Sequence, residues 1–149
     1  MKVLLLNGPN LNLLGTRQPD IYGQSTLAEI EAKVRQRCLE LGAELQARQS
    51  NSEGELIDAI QAAPGLGVAG IILNPGGYSH TSVAIRDALL AVELPAVEVH
   101  LSNPMAREEF RRTDLVAGAC FGVVAGFGSR GYLVALEELV IRLGGVQRR

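Results

Sequence analysis

Short runs of strand-like apolar residues alternate along this chain with stretches at helical spacing. KVLLLN reads as a strand. TLAEIEAKVRQRCLEL places Leu27, Ile30, Val34, Cys38 and Leu41 on one face of a helix. Thr26 and Glu29 make a capping-box pair at its start, and Gly42 is a stop. AELQARQ is a more polar strand, expected nearer a sheet edge. Ser52 and Glu55 repeat the capping pair before ELIDAIQAA, which Pro64 and Gly65 end. VAGIILN follows as a buried strand, then SVAIRDALLAV as a helix, AVEVH as a strand and MAREEFRR as a short helix. ACFGVVAG is a last strand, and GYLVALEELVIRL a last helix that stops at Gly144.

Strict alternation of this kind predicts parallel strands joined by right-handed crossovers. The expected fold class is α/β: a flavodoxin-like, doubly wound, five-stranded parallel sheet, with residues 1–149 in a single domain. Sites in such sheets lie at the carboxyl ends of the strands. Those ends are NGPN, NPGGYSH, EVHLSN and GFGSRG.

One connection is out of proportion. NGPNLNLLGTRQPDIYG, from Asn7 to Gly23, joins the first strand to the first helix, where about 2–6 residues usually suffice. It carries Asn10, Asn12, Arg17, Asp20 and Tyr22. A loop this long in a compact chain is functional or disordered.

Totals narrow the classes. With 47% apolar and 20% charged residues, the 149-residue chain can bury a core, and without tryptophan Val, Leu, Ile and Ala must fill it. A net charge of −2 offers no basic field for nucleic acid, and the terminal VQRR reads as a solvated tail. No apolar run reaches the roughly 18 residues of a membrane span, and the N-terminus has no secretory signal pattern. Cys38 and Cys120 are isolated and read as small buried hydrophobes, which fits a reducing, cytoplasmic setting.

The strand ends hold the candidate chemistry. Gly126, Gly128 and Gly131 fit GxGxxG, but after the last strand rather than the first, so close helix–strand packing and a tight turn explain them better than a dinucleotide does. In NPGGYSHTS, Gly76 and Gly77 let backbone approach a ligand, Asn74 and His80 can aim into the gap, and Thr81 or Ser82 can cap the next helix. Glu98 and His100 project from the same side of one strand, so the carboxylate can fix the imidazole tautomer and raise its pKa. Ser102 and backbone N–H groups beyond it offer an anion site. Arg107 and Arg111, four apart on the expected helix, read as surface charge paired with Glu108 and Glu109.

Neither histidine has a neighbour at metal-ligand spacing in sequence, and neither Lys2 nor Lys33 reads as a buried Schiff-base lysine. No metal or cofactor is expected. Proton transfer then falls to His100, Tyr22 and His80. A free phenol is a poor base, but a guanidinium about 4 Å away contributes ~4 kcal/mol to the phenolate at an effective dielectric near 20. Arg17, on the same loop as Tyr22, is the available cation. A nucleotide-holding module at NPGG or GFGSRG and a purely structural oligomer remain competing readings of the same residues.

The chain resembles the type II 3-dehydroquinate dehydratases of the shikimate pathway. LLLNGPNLNLLGTRQPDIYG, RQSNSEGELIDAI, GIILNPGGYSHTSVAIRDAL, PAVEVHLSNPMAREEFRR and GFGSRGYLVALEEL carry the likeness in order over nearly the whole length. The resemblance implies dehydration of 3-dehydroquinate to 3-dehydroshikimate without metal or cofactor. It implies Tyr22 as the base, Arg17 supporting the phenolate, Asn10 positioning a water at the enolate, and His100 as the acid oriented by Glu98. Asn74, His80, Leu101, Ser102 and Arg111 correspond to substrate-binding positions, and Asp87 to one contributed across a subunit contact. Trimers gathered into a homododecamer are implied as well. The opening segment would then be a lid hinged at Gly15 and Gly23.

Overall fold

The computed structural model describes residues 1–16 and 18–144. Arg17 and the terminal VQRR therefore lie outside the described residues. Strands β1 (Lys2–Asn7), β2 (Glu44–Gln49), β3 (Val68–Asn74), β4 (Ala96–His100) and β5 (Gly122–Ala125) form one sheet in the order β2-β1-β3-β4-β5. Every pairing is parallel. This is the flavodoxin-like order, and the polar strand β2 takes the expected edge.

Side chains alternate across the sheet, so each strand feeds two cores. Val3, Leu5, Ile72, Val97 and Val99 face helices α2 (Leu27–Glu40) and α5 (Arg130–Leu143). Leu4, Leu6, Ile71, Leu73 and Ala96 face α3 (Glu53–Ala62) and α4 (Val83–Val92). The central strands β1 and β3 carry unbroken apolar runs, residues 3–6 and 71–73, because both faces are covered. No helix among the described residues is long and apolar enough to cross a membrane.

Start signals are honoured with one change of partner. Thr26 Oγ1 accepts from the Glu29 N–H while the Glu29 carboxylate accepts from the Thr26 N–H, a full capping box. Ser52 Oγ likewise accepts from the Glu55 N–H, but the Glu55 carboxylate turns to the Ser50 hydroxyl instead of returning to Ser52. Ser82, not Thr81, caps α4.

Two expectations fail between β4 and β5. MAREEFRR is not an α-helix: it forms two 3₁₀ turns, Pro104–Ala106 and Glu109–Arg112, separated by extended backbone at Arg107 and Glu108. The arginine side chains are drawn inward, Arg107 to 14% exposure and Arg111 to 21%, and those contacts override helical spacing. The last strand is also shorter than its apolar run. Residues Ala117–Ala119 form a 3₁₀ turn, and Cys120 precedes the strand, half-buried rather than in the core. Cys38 is buried as expected.

The ends of β1 and β3, where the strand order reverses, are locked together. Buried Tyr132, from α5, donates its hydroxyl to Asn7 Oδ1 at 2.7 Å and accepts from Asn74 Nδ2 at 2.8 Å. The Gly8 N–H donates to the Asn74 carbonyl at 2.8 Å. A Cβ at Gly8 would stand 2.5 Å from the Pro75 carbonyl oxygen, so only glycine permits this approach. Gly76 faces back across the gap with φ 58°, and its Cβ would meet the Pro9 carbonyl oxygen at 3.1 Å.

Tyr132→Phe leaves two buried amide groups without a partner. It is expected to cost about 1–3 kcal/mol of stability, read as a lower denaturant midpoint at unchanged m-value. An unaltered midpoint would show that the tie contributes nothing.

Candidate functional site

A cleft opens at the carboxyl ends of β1, β3 and β4, the switch point of the sheet. It encloses about 150 Å³ and is lined by loops following all three strands. Asn10, Tyr22, Asn74, His80, His100, Leu101, Ser102 and Arg111 all line it. Two candidates do not. Glu98 lies beneath His100, and Asp87 sits exposed on α4 outside the cleft. Arg17 lies outside the described residues.

Each side chain is placed by local structure. Asn10, at φ 68°, ends the tight turn after β1, and its N–H donates to Asn51 Oδ1 at 3.0 Å. Tyr78 donates its hydroxyl to the Asn51 carbonyl at 2.7 Å, so the loops after β1, β2 and β3 are joined at one residue. Asn74 spends both amide groups on its position: Nδ2 on Tyr132 and Oδ1 on the Gly76 N–H. His80 donates from Nδ1 to the Thr113 carbonyl at 2.7 Å, which fixes its tautomer and ring.

Tyr22 closes α1 (Pro19–Tyr22), a single helical turn within the long loop, started by Pro19 and flanked by Gly23 at φ 81°. Gly15, at the other side of the loop, has φ 89°. Arg107 Nη1 donates to the Tyr22 hydroxyl at 2.8 Å, and the guanidinium lies 5.2 Å from the ring centroid. Arg107 is thus no surface charge. Sequence reasoning missed it because an i, i+4 pair beside two glutamates has a sufficient surface explanation. Arg111 keeps such a pairing, with Nε 2.8 Å from Glu108 Oε2, yet still borders the cleft.

Also in the cleft, at the end of β4, His100 Nε2 donates to Glu98 Oε1 at 2.6 Å. Both side chains project from β4 as the alternation requires. Glu98 is wholly buried, and its other oxygen, Oε2, has no hydrogen-bond partner. Burial and the neighbouring Asp114 push its carboxyl up to about 7, against the opposing pull of His100. Burial works against the imidazolium, but the carboxylates of Asp114 and Glu98 outweigh it and push His100 up to about 9. Asp114 stands 3.5 Å from Nε2 and was not visible as a candidate, being 14 residues away in a segment of no recognisable motif. Nδ1 makes no hydrogen bond among the described residues and is the nitrogen available to the cleft.

Glu98, His100 and Asp114 also bring ligand atoms within 4.8 Å of one another, which the sequence spacing did not suggest. The 2.6 Å bond to Glu98 already occupies Nε2, the nitrogen that both carboxylates approach, so the cluster is a hydrogen-bonded imidazole with a second carboxylate beside it and not a set of metal ligands. The glycine turn GFGSRG forms part of a second, open groove that shares Tyr22 and Arg107 with the cleft.

A cation-held phenol and a carboxylate-backed imidazole lining one cleft can move a proton off one atom of a bound molecule and onto another. A family model described as Dehydroquinase class II matches residues 1–140. The 3-dehydroquinate dehydratase of Xylella fastidiosa (strain 9a5c) is 55% identical over 142 residues, 95% of this chain and 96% of that protein. A 3-dehydroquinate dehydratase 1 of Ralstonia nicotianae is 54% identical over 96% of this chain and 92% of its own. The crystal structure of a type II dehydroquinase from Butyrivibrio crossotus superposes with a TM-score of 0.92 at 44% identity, covering 93% of this chain and 97% of that one.

A raised histidine pKa stabilises the fold below the unfolded value and loses that contribution as pH rises through the folded one. With an ordinary value of 6.5 and a folded value of about 9, the loss from His100 falls between those limits. Melting temperature is expected to decline from about pH 7 to pH 9. The decline should be shallower in His100→Asn; parallel curves for the two proteins would refute the shift.

Proposed function

The chain belongs to the class II dehydroquinase family, and from that premise we propose how its cleft dehydrates 3-dehydroquinate. The activity is that of a 3-dehydroquinate dehydratase of the shikimate pathway, yielding 3-dehydroshikimate and water. The substrate is a small carboxylate-bearing ring with a ketone and a hydroxyl at the two ends of the C–C bond that becomes unsaturated. Such a molecule needs a base at the carbon beside the ketone and an acid at the departing hydroxyl.

The observation that carries the mechanism is that Tyr22, bonded to Arg107 at 2.8 Å, and His100, bonded to Glu98 at 2.6 Å, line one cleft. Tyr22 as phenolate takes the proton, and the C–H electrons move onto the ketone oxygen as an enolate. Arg107 stabilises the phenolate, and Arg17 joins it on the strength of the sequence resemblance. Asn10 positions a water at the enolate oxygen. The enolate then collapses to the enone, the C–O bond breaks, and His100 delivers its proton from Nδ1 to the leaving hydroxyl. Glu98 accepts from Nε2 and so holds the charged ring with its Nδ1–H free to donate. Arg111 and the turn at Leu101 and Ser102 receive the substrate carboxylate, while Asn74 and His80 take ring hydroxyls. None of these steps calls on a metal or cofactor.

Closure of the loop between Gly15 and Gly23 brings Tyr22 onto the carbon acid and expels water. The site is completed by assembly: trimers gathered into a homododecamer, with Asp87 reaching a neighbour's cleft. Exposed Val83 and Leu90, on the same helix as Asp87, support this, as does Val123 on the edge strand. A cytoplasmic location fits the free cysteines.

The test is turnover of 3-dehydroquinate in chelator-treated buffer, followed by ultraviolet absorbance of the enone. Tyr22→Phe and His100→Ala should each lower kcat by roughly 10²–10⁴ while retaining binding of an anionic ring analogue. Arg107→Gln should lower kcat more than it raises KM. Full activity in Tyr22→Phe would eliminate the phenolate, and inactivation by borohydride would point to a lysine route instead.

A further inference from the structure

We propose that Asp114 is a second carboxylate partner of His100, a positioning residue that keeps the imidazole charged and ready to donate into the cleft. This rests on His100 being the acid of the reaction. Asp114 Oδ2 lies 3.5 Å from His100 Nε2, beyond the 2.6 Å hydrogen bond to Glu98. At that distance Asp114 acts on the ring as a charge rather than as a second acceptor.

The carboxylate is held in place from behind. Its Oδ1 accepts from the N–H groups of Val116 at 3.0 Å and Ala117 at 2.9 Å. The segment that carries it is pinned to the site's own loops. The Leu115 N–H donates to the Ser79 carbonyl at 2.8 Å, and Arg86 donates to the Leu115 carbonyl at 3.0 Å. Thr113, next in the chain, holds His80 through its carbonyl. The same short segment thus fixes both histidines of the cleft.

Asp114 also sets a second negative charge beside the buried Glu98. Glu98 Oε2 is buried without a hydrogen bond, and the three groups meet within 4.8 Å. Two carboxylates this close are tolerated while an imidazolium stands between them. Once His100 gives up its proton, the pair is left with a neutral ring, so recapture of a proton is favoured before the next cycle. Cys120 senses the same concentration of charge: burial, with Glu98 and Asp114 nearby, pushes its thiol up to about 12. Around His100 the charged and titratable groups are Glu98 from β4, Asp114 and Cys120 from the segment before β5, and His80, Tyr22, Arg107 and Arg111 across the cleft. Both arginines oppose an imidazolium, and Asp114 offsets them.

Asp114→Asn separates the charge from the scaffold, because the amide oxygen still accepts from Val116 and Ala117. The experiment is an NMR titration of the His100 ring in the substrate-free enzyme, assigned against His100→Gln, beside the pH profile of kcat. The ring midpoint is expected to fall by about one pH unit or more, and the alkaline limb of kcat by the same amount, with KM near neutrality changed less than about twofold. Asp114→Glu should recover part of the shift. A midpoint unmoved in Asp114→Asn would overturn the proposal, even if the variant melts earlier. A moved midpoint with an unmoved kcat limb would uphold the coupling and remove His100 from the acid role. Should Asp114→Asn fail to fold, Asp114→Ser, which keeps an acceptor, carries the same titration.

Discussion

A carboxylate buried in the middle of a sheet is the constraint around which this molecule is arranged. Glu98 stands on an interior strand with no exposed surface, and a lone charge there would be costly. His100, two residues on and on the same face, answers it at 2.6 Å. The ring is thereby fixed in tautomer and direction, with one nitrogen inward and the other toward the cleft. The loop after β3 and the segment before β5 then close around it. What a water-exposed pair would leave loose is here set by the need to neutralise an interior charge.

The Tyr22 side of the site is built differently. Tyr22 sits on a single helical turn in a long loop and is only half-buried. Its cation comes from Arg107, on a break between two 3₁₀ turns. His100 is thus held by the sheet and Tyr22 by loops. That division suits the elimination proposed above, with a fixed acid at the leaving group and a base able to arrive once the ring is bound.

Much of this was legible in the sequence, for physical reasons that differ by residue. Strand positions follow from runs buried on both faces, and the polarity of AELQARQ placed it at an edge. Glu98 and His100 were legible because strand alternation converts a spacing of two into contact. Thr26 and Glu29 were legible because a cap is a local device. Arg107 was not, because its backbone leaves the helical path that spacing presumes, and its partner is 85 residues away. Asp114 and Tyr132 were hidden because their partners are distant in sequence: only the folded chain brings one to His100 and the other to Asn7 and Asn74. MAREEFRR misled because helix propensity is weak beside an arginine with a buried destination.

The close seating of Gly8 against Pro75, with Gly76 against Pro9, has a mechanical consequence. The roots of the first and third loops are meshed like two teeth, and neither can slide without carrying the other. Any displacement of Tyr22 toward His100 must pivot farther along the chain, past Asn10, which Asn51 also tethers. The floor of the cleft is thereby one interlocked unit, and any freedom of the long loop lies beyond it.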